Sequence, residues 1–169
     1  MMSTNNLSFA IGSRDFIKIK IDGKIVKGNS KYNKSSDYFE GSSGQAFNVF
    51  YGIDGPVFDL VNLKLKVTKN IKDILESFFT RGEKNIEIEV LRKESTKSGV
   101  EYSSYNVIYT GCRINNIFLS HDNDTNLLCE VLFTPEDRVS IELNVPSDDG
   151  SKTEKVGPIT YDLHQGKIV

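Results

Sequence analysis

Apolar and polar residues alternate along most of this chain with a period of two. Phe16 opens the first run, and Ile17, Ile19 and Ile21 follow with Lys18, Lys20 and Asp22 between them. Side chains two apart on an extended chain share a face, so this run predicts a half-buried strand. Asp22-Gly23 turns the chain, and Ile25-Val26 resume the apolar pattern. Residues 27–37 form a polar loop. Residues 38–51 mix small and aromatic residues, among them Tyr38, Phe39, Phe47, Val49, Phe50 and Tyr51. Gly41-Ser42-Ser43-Gly44 within that stretch predicts a bent or bulged strand. Gly52-Ile53-Asp54-Gly55-Pro56 reads as a turn. Val61, Leu63, Leu65 and Val67 then alternate with Asn62, Lys64 and Lys66, the clearest strand of the chain.

The period changes once. Ile71, Ile74, Leu75, Phe78 and Phe79 recur at helical spacing behind Asn70, a good N-cap, with Asp73 three residues on. Gly82 after Arg81 supplies a stop. The spacing predicts a helix over about residues 71–81 with one greasy face on the sheet. Ile86, Ile88 and Val90 alternate again, and a polar turn covers 94–100. A long strand runs from about Tyr102 to Leu119, and His121-Asp122-Asn123-Asp124 turns it back into Leu127–Phe133. Val139 to Val145 forms a separate alternating strand, 146–155 a loop, and Ile159–Leu163 a last short strand. About eight strands and one helix predict a mainly β fold, a small β-barrel of two antiparallel sheets with one short flanking α-helix. A flexible N-terminal arm, 1–14, precedes a single domain, 15–169.

Charge narrows the function. Lys and Arg total 21 against 23 Asp and Glu, for a formal net charge of -2, and the two signs are interspersed. Such a chain has no basic field to condense on nucleic acid or anionic lipid. The start, MMSTNNLSFAIGSR, lacks the charged and apolar regions of a signal peptide, and no run suits a membrane span. The expectation is a protein made in the cytoplasm and exported, if at all, by a dedicated machine.

Every candidate reactive group has a plainer reading. His121 with Asp122 and Asp124 could hold a metal, but turns favour Asp and Asn for local backbone bonding, and the EF-hand spacing fails. Gly41–Gly44 is neither G-x-S-x-G, because Gln45 stands at the last position, nor a phosphate loop. Glu87/Glu89 share the solvent face of one strand, and Asp148/Asp149 lie in a polar loop, so nothing desolvates either pair. Cys112 and Cys129 sit in apolar strand patterns and read as small buried hydrophobes, with a disulfide open as an alternative. Lys31-Tyr32 and Lys34 are too sparse to stack a nucleic-acid strand. No catalytic residue, cofactor or metal is expected.

The order of these signals resembles the haemolysin-coregulated (Hcp) family, the tube proteins of bacterial type VI secretion. The family's opening strand, turn and Lys-Gly-x-Ser correspond to FIKIKIDGKIVKGNS, with Lys27, Gly28 and Ser30 in register. Its strand, helix and alternating strand correspond to VNLKLKVTKNIKDILESFFTRGEKNIEIEVLRK, with Thr68-Lys69 and Gly82. Glu101-Tyr102, Glu130 and Phe133 fit its long strand and return strand. Its Gly-Pro-apolar-x-Tyr tail corresponds to Gly157-Pro158-Ile159-Thr160-Tyr161. The resemblance spans about 150 residues. It implies hexameric rings of this chain with itself, stacked into a tube inside a contractile sheath, meeting a spike protein and carrying effector cargo, secreted without a signal peptide.

Two departures accompany it. The chain extends by residues 1–14, and it lacks both Trp and the family's long Gly-rich extended loop, which contributes to contacts between stacked rings. Only Gly52, Ile53, Asp54, Gly55 and Pro56 stand at that place, and they are assigned to ring-stacking or subunit contact. Ser42, Ser43 and Gln45 are assigned to the lumen. A phage or phage-derived tail-tube protein would share the fold and the ring. A secreted β-sandwich ligand-binding module would instead be a monomer with an exposed aromatic platform.

Overall fold

A computed structural model describes residues 15–30, 37–80, 85–96 and 98–169. The predicted arm 1–14, the Lys31-Tyr32 and Lys34 loop, and the Arg81/Gly82 stop lie outside those residues. Strands β1 (Asp15–Ile21), β2 (Lys24–Ile25), β3 (Phe39–Gln45), β4 (Val49–Gly52), β5 (Gly55–Phe58) and β6 (Val61–Lys66) precede helix α1 (Ile71–Phe79). Strands β7 (Ile86–Ser95), β8 (Glu101–His121), β9 (Leu127–Pro146), β10 (Thr153–Asp162) and β11 (Lys167–Ile168) follow it. Pairing runs β9-β6-β3-β1-β7-β8 and returns from β8 to β9, so six antiparallel strands close into a barrel. β10 and β11 extend the sheet beyond β9, and β4–β5 form a separate two-stranded sheet.

The alternating strands do what their period requires. Ile17, Ile19 and Ile21 of β1, Leu63 and Leu65 of β6, and Ile88 and Val90 of β7 point into one core. Tyr109 packs edge-on against Phe133 across it, with ring centroids 5.2 Å apart. On the outer face the charges pair across strands. Lys18 sits opposite Glu89 and Lys20 opposite Glu87, with ion-pair distances of 3.7 and 3.3 Å. Glu87 and Glu89 are therefore structural partners of β1 lysines.

Three boundaries differ from the sequence reading. The segments Leu127–Phe133 and Val139–Val145 are one strand, β9, of 20 residues. Pro135 does not break it. It faces Cys112 across a register shift between Thr110 and Cys112, where the ladder already lacks a regular partner. Gly111 makes that bulge at φ +62, and a Cβ there would sit 2.7 Å from the Asp137 Cβ. The last long strand begins at Thr153, because Gly157-Pro158 is absorbed as a second bulge between Val156 and Ile159. The Gly52–Pro56 turn is the tip of the β4–β5 hairpin, discussed below.

Helix α1 packs through Ile74, which is fully buried, with Ile71 and Phe78 against the same core. Phe79 is 76% exposed. At 3.6 residues per turn it points roughly 140° away from Ile74, so the five apolar positions cannot share one face. Asn70 occupies the N-cap position, yet its side chain makes no capping bond. Its amide instead donates to the Lys27 carbonyl, tying the helix start to the end of the β1–β2 hairpin.

Gly41 tests this packing. A Cβ there would collide with the Lys64 carbonyl oxygen of β6 and lie 3.1 Å from Ile17 Cδ1, whereas a Cβ at Gly44 meets nothing within 4 Å. Gly41→Ala is expected to lower folding stability by about 2 kcal/mol or more and Gly44→Ala to leave it nearly unchanged, read as urea midpoints.

Candidate assembly surfaces

Three surfaces depart from what an isolated barrel needs. The first is the β4–β5 hairpin. Its strands pair from Val49↔Phe58 to Gly52↔Gly55, with Ile53-Asp54 as a two-residue loop. Gly55 at φ +120 closes the turn in a conformation that only glycine adopts readily. The hairpin root is anchored. Phe58 lies between Phe47 and Tyr161, at centroid distances of 5.9 and 5.7 Å, and the Tyr109 hydroxyl donates to the Ala46 carbonyl. The tip is bare: Phe50 is 52% exposed, Tyr51 83% and Ile53 fully exposed. The sequence reading placed a short turn here. The structure places an arm with apolar flanks, and the missed signal was a Gly-x-x-Gly turn between two apolar pairs.

The second surface is a polar groove of about 540 Å³ bordered by Ser42, Ser43, Gly44 and Gln45 together with Asp15, Asn62, Lys64 and Arg92. The β3–β6 register shifts between Ser42 and Gln45, as the Gly-Ser-Ser-Gly run predicted. Freed from the ladder, the Ser43 N–H donates to Asp15 Oδ2 at 3.3 Å and its hydroxyl to the Asn62 carbonyl at 2.9 Å. Asp15 is buried. Its other oxygen accepts from Arg92 at 3.1 Å and from the Tyr105 hydroxyl at 3.3 Å. Asp15, Arg92 and Tyr105 had no sequence signal, being separated by 77 and 90 residues.

The third surface is open sheet. Among the described residues, β10 pairs with β9 along one edge and with β11 only at Tyr161 and Asp162, and β8 pairs with β7 only as far as Tyr109. Leu143, Val145, Val156 and Ile159 are exposed on the β9–β10 extension. Unpaired edges and bare apolar faces of this kind favour association.

The remaining candidates are locally satisfied. Asp122 accepts from Asp124 and Asn126 N–H groups and the Asn126 side chain, which hold its carboxyl below the usual range. Asp149 is held down to about 2 by the Ser151 N–H and the Ser151 and Ser147 hydroxyls. Cys112 and Cys129 are free and buried. Burial pushes the Cys129 thiol up to about 11 and that of Cys112 further still, so both are poor nucleophiles. Among the described residues no three His, Cys, Asp or Glu side chains converge as metal ligands, and no helix is long and apolar enough to cross a membrane.

No protein-family model and no curated protein matches the chain. Solved structures do. A type six secretion system protein superimposes with a TM-score of 0.70 at 14% identity, over 91% of this chain and 99% of that one. Hcp1 from Salmonella typhimurium gives 0.63 at 15% identity, over 92% and 99%. Secreted protein Hcp3 from Pseudomonas aeruginosa gives 0.59 at 14% identity, over 85% and 96%. The chain thus has an Hcp-like fold along most of its length.

The Asp15 cluster sets a pH dependence. Tyr105, ordinarily near 10, is pushed up to about 12, first by burial and next by the Asp15 charge, with Arg92 opposing. An acid whose folded pKa is raised contributes its full stability below the unfolded pKa and loses it as pH rises through the folded one. Stability is therefore expected to fall between about pH 10 and 12. Tyr105 should stay un-ionised at pH 11 in a spectrophotometric titration of the folded chain, and Tyr105→Phe should flatten the fall.

Proposed function

We propose that this chain is a non-enzymatic tube subunit of a type VI secretion system, forming hexameric rings that stack into an effector-carrying tube. The observation that carries the reading is the Hcp-like fold, which accounts for nearly the whole chain at low identity. Three features of the chain support it. The open edges of β8 and β10 offer the two unlike surfaces that a repeated, closing contact joins into a ring. The bare Gly52–Pro56 tip and its flanking aromatics offer a second contact, between rings. The groove of Ser42, Ser43 and Gln45 is polar, which suits a lumen that passes varied cargo. In this reading the chain is made in the cytoplasm and leaves the cell through the machine it belongs to. Its partners are itself, the contractile sheath, the spike and effector cargo.

Negative-stain imaging with mass measurement in solution tests it. Six-membered rings are expected, and a clean monomer at high concentration would overturn the reading. Replacing Tyr51 and Ile53 by Ser should leave rings intact and shorten stacks. A gold label on Gln45→Cys should appear at the ring centre, and label on the outer wall would remove these residues from the lumen.

A further inference from the structure

The apolar face of the β9–β10 extension has a definite place relative to the start of β1. Leu143 sits opposite Tyr105 on one side and Val156 on the other, and Val145 stands two residues on. Leu143, Val145 and Val156 therefore share the face on which the Tyr105 hydroxyl reaches Asp15. Ile159, opposite Ile141 beyond the second bulge, continues that face towards the core. Among the described residues these four side chains stay 36–50% exposed. The reverse face is polar: Glu142 and Lys155 pair at 3.1 Å, and the Asn144 amide donates to the Ser103 carbonyl. One face of the extension suits water and the other does not.

The chain enters the barrel beside that face. Asp15 opens β1 opposite Arg92 of β7, Arg92 faces Tyr105 of β8, and Tyr105 faces Leu143 of β9. Ladder neighbours lie ~4.8 Å apart, so this transverse row from Asp15 to Leu143 spans ~14 Å. All these pairs are antiparallel, so the residues before Asp15 lead towards the end of the sheet where Val145 lies. Residues 1–14 lie outside the described residues, and their sequence suits this place. Leu7, Phe9 and Ile11 alternate with the small Ser8, Ala10 and Gly12, and residues 1–13 carry no charged side chain. An extended chain advances ~3.3 Å per residue, so Phe9, six residues before Asp15, reaches ~20 Å and passes Leu143.

We infer that the chain's own N-terminal segment covers this face, with Leu7, Phe9 and Ile11 set against Leu143, Val145, Val156 and Ile159. Apolar side chains at period two present one side to the sheet, while Ser8, Ala10 and Gly12 turn to solvent. Three side chains bury far less than the roughly 800 Å² per partner that separate molecules need for a stable contact. The short tether from Gly12 to Arg14 removes that obstacle, because it holds the segment near its own face at an effective concentration on the order of millimolar. The occupant is thus the same copy, not a second one. The outer edges of β8 and β10 stay free, so the inference goes beyond the tube reading and stands or falls apart from it.

The test combines Phe9→Cys in the full chain with Leu143→Cys, Val145→Cys or Val156→Cys in turn, under mild oxidation. Cys112 and Cys129 are buried and their thiols are pushed up, so they stay out of the reaction. A disulfide within one chain is expected for at least one of the three pairs, in a yield independent of protein concentration. With Lys155→Cys on the reverse face the yield should be several-fold lower. Equal yields on the two faces, or no disulfide at any inner position, would overturn the inference. A disulfide that forms only between chains, when the single variants Phe9→Cys and Val156→Cys are mixed, would overturn it in favour of a second copy's segment. Replacing Leu7, Phe9 and Ile11 together by Ser should raise binding of the apolar dye ANS several-fold, and unchanged binding would show the face to be bare in the parent chain and overturn the inference as well.

Discussion

One edge of β9 is divided between two strands. From Leu128 to Phe133 it pairs with β6, and from Arg138 to Pro146 with β10, while its other edge holds β8 from Leu127 to Leu143. The first half closes the barrel and the second carries the sheet past it. The division requires β9 to remain one strand through Thr134–Asp137, where β6 stops and β10 has not begun. The bulge at Gly111 and the placement of Pro135 opposite it let the two long strands stay paired through that gap. Without that continuity the core around Tyr109 and Phe133 would have no lid, and the C-terminal strands would have no sheet to join.

Extending a sheet beyond its own core has a consequence for the surface. On β9 the inward positions Val139, Ile141, Leu143 and Val145 pass from buried to half-exposed as the barrel beneath them ends. The same apolar alternation that fills the core therefore becomes a bare face a few residues later. The hairpin β4–β5 repeats this theme. Its root is packed by Phe58 and Tyr161, and its tip is left in solvent. Large apolar side chains left bare outside a core in this way favour association.

The polar groove shows the opposite economy. Asp15 enters the barrel end with Arg92 and Tyr105 as partners, so a buried carboxylate is neutralised and bonded. The bulged Ser42–Gln45 segment leans on that cluster through Ser43. Its shape is thus held by a network whose members come from β1, β3, β7 and β8.

Strand identity in β1, β6 and β7, a helix over about residues 71–81 (observed as Ile71–Phe79, with Thr80 as its C-cap), the β8–β9 turn and the Gly41–Gly44 bulge were all legible in the sequence. Each depends on side chains a few residues apart, and period two or 3.6 records that directly. The union of Leu127–Phe133 with Val139–Val145 was not legible, because Pro135 reads locally as a break and only its partner across the bulge makes it harmless. Phe50, Tyr51 and Ile53 read as ordinary apolar residues. Their exposure was decided by the hairpin leaving the barrel at Gln45, and that depends on where β3 and β6 stop pairing. Asp15, Arg92 and Tyr105 are unremarkable until barrel closure brings them together. The sequence by itself determined the elements and their inward faces, since those follow from local geometry. Which apolar faces stay bare, and which distant polar groups meet, was decided by the register of the closed sheet, because pairing across the ring joins residues that no local period relates.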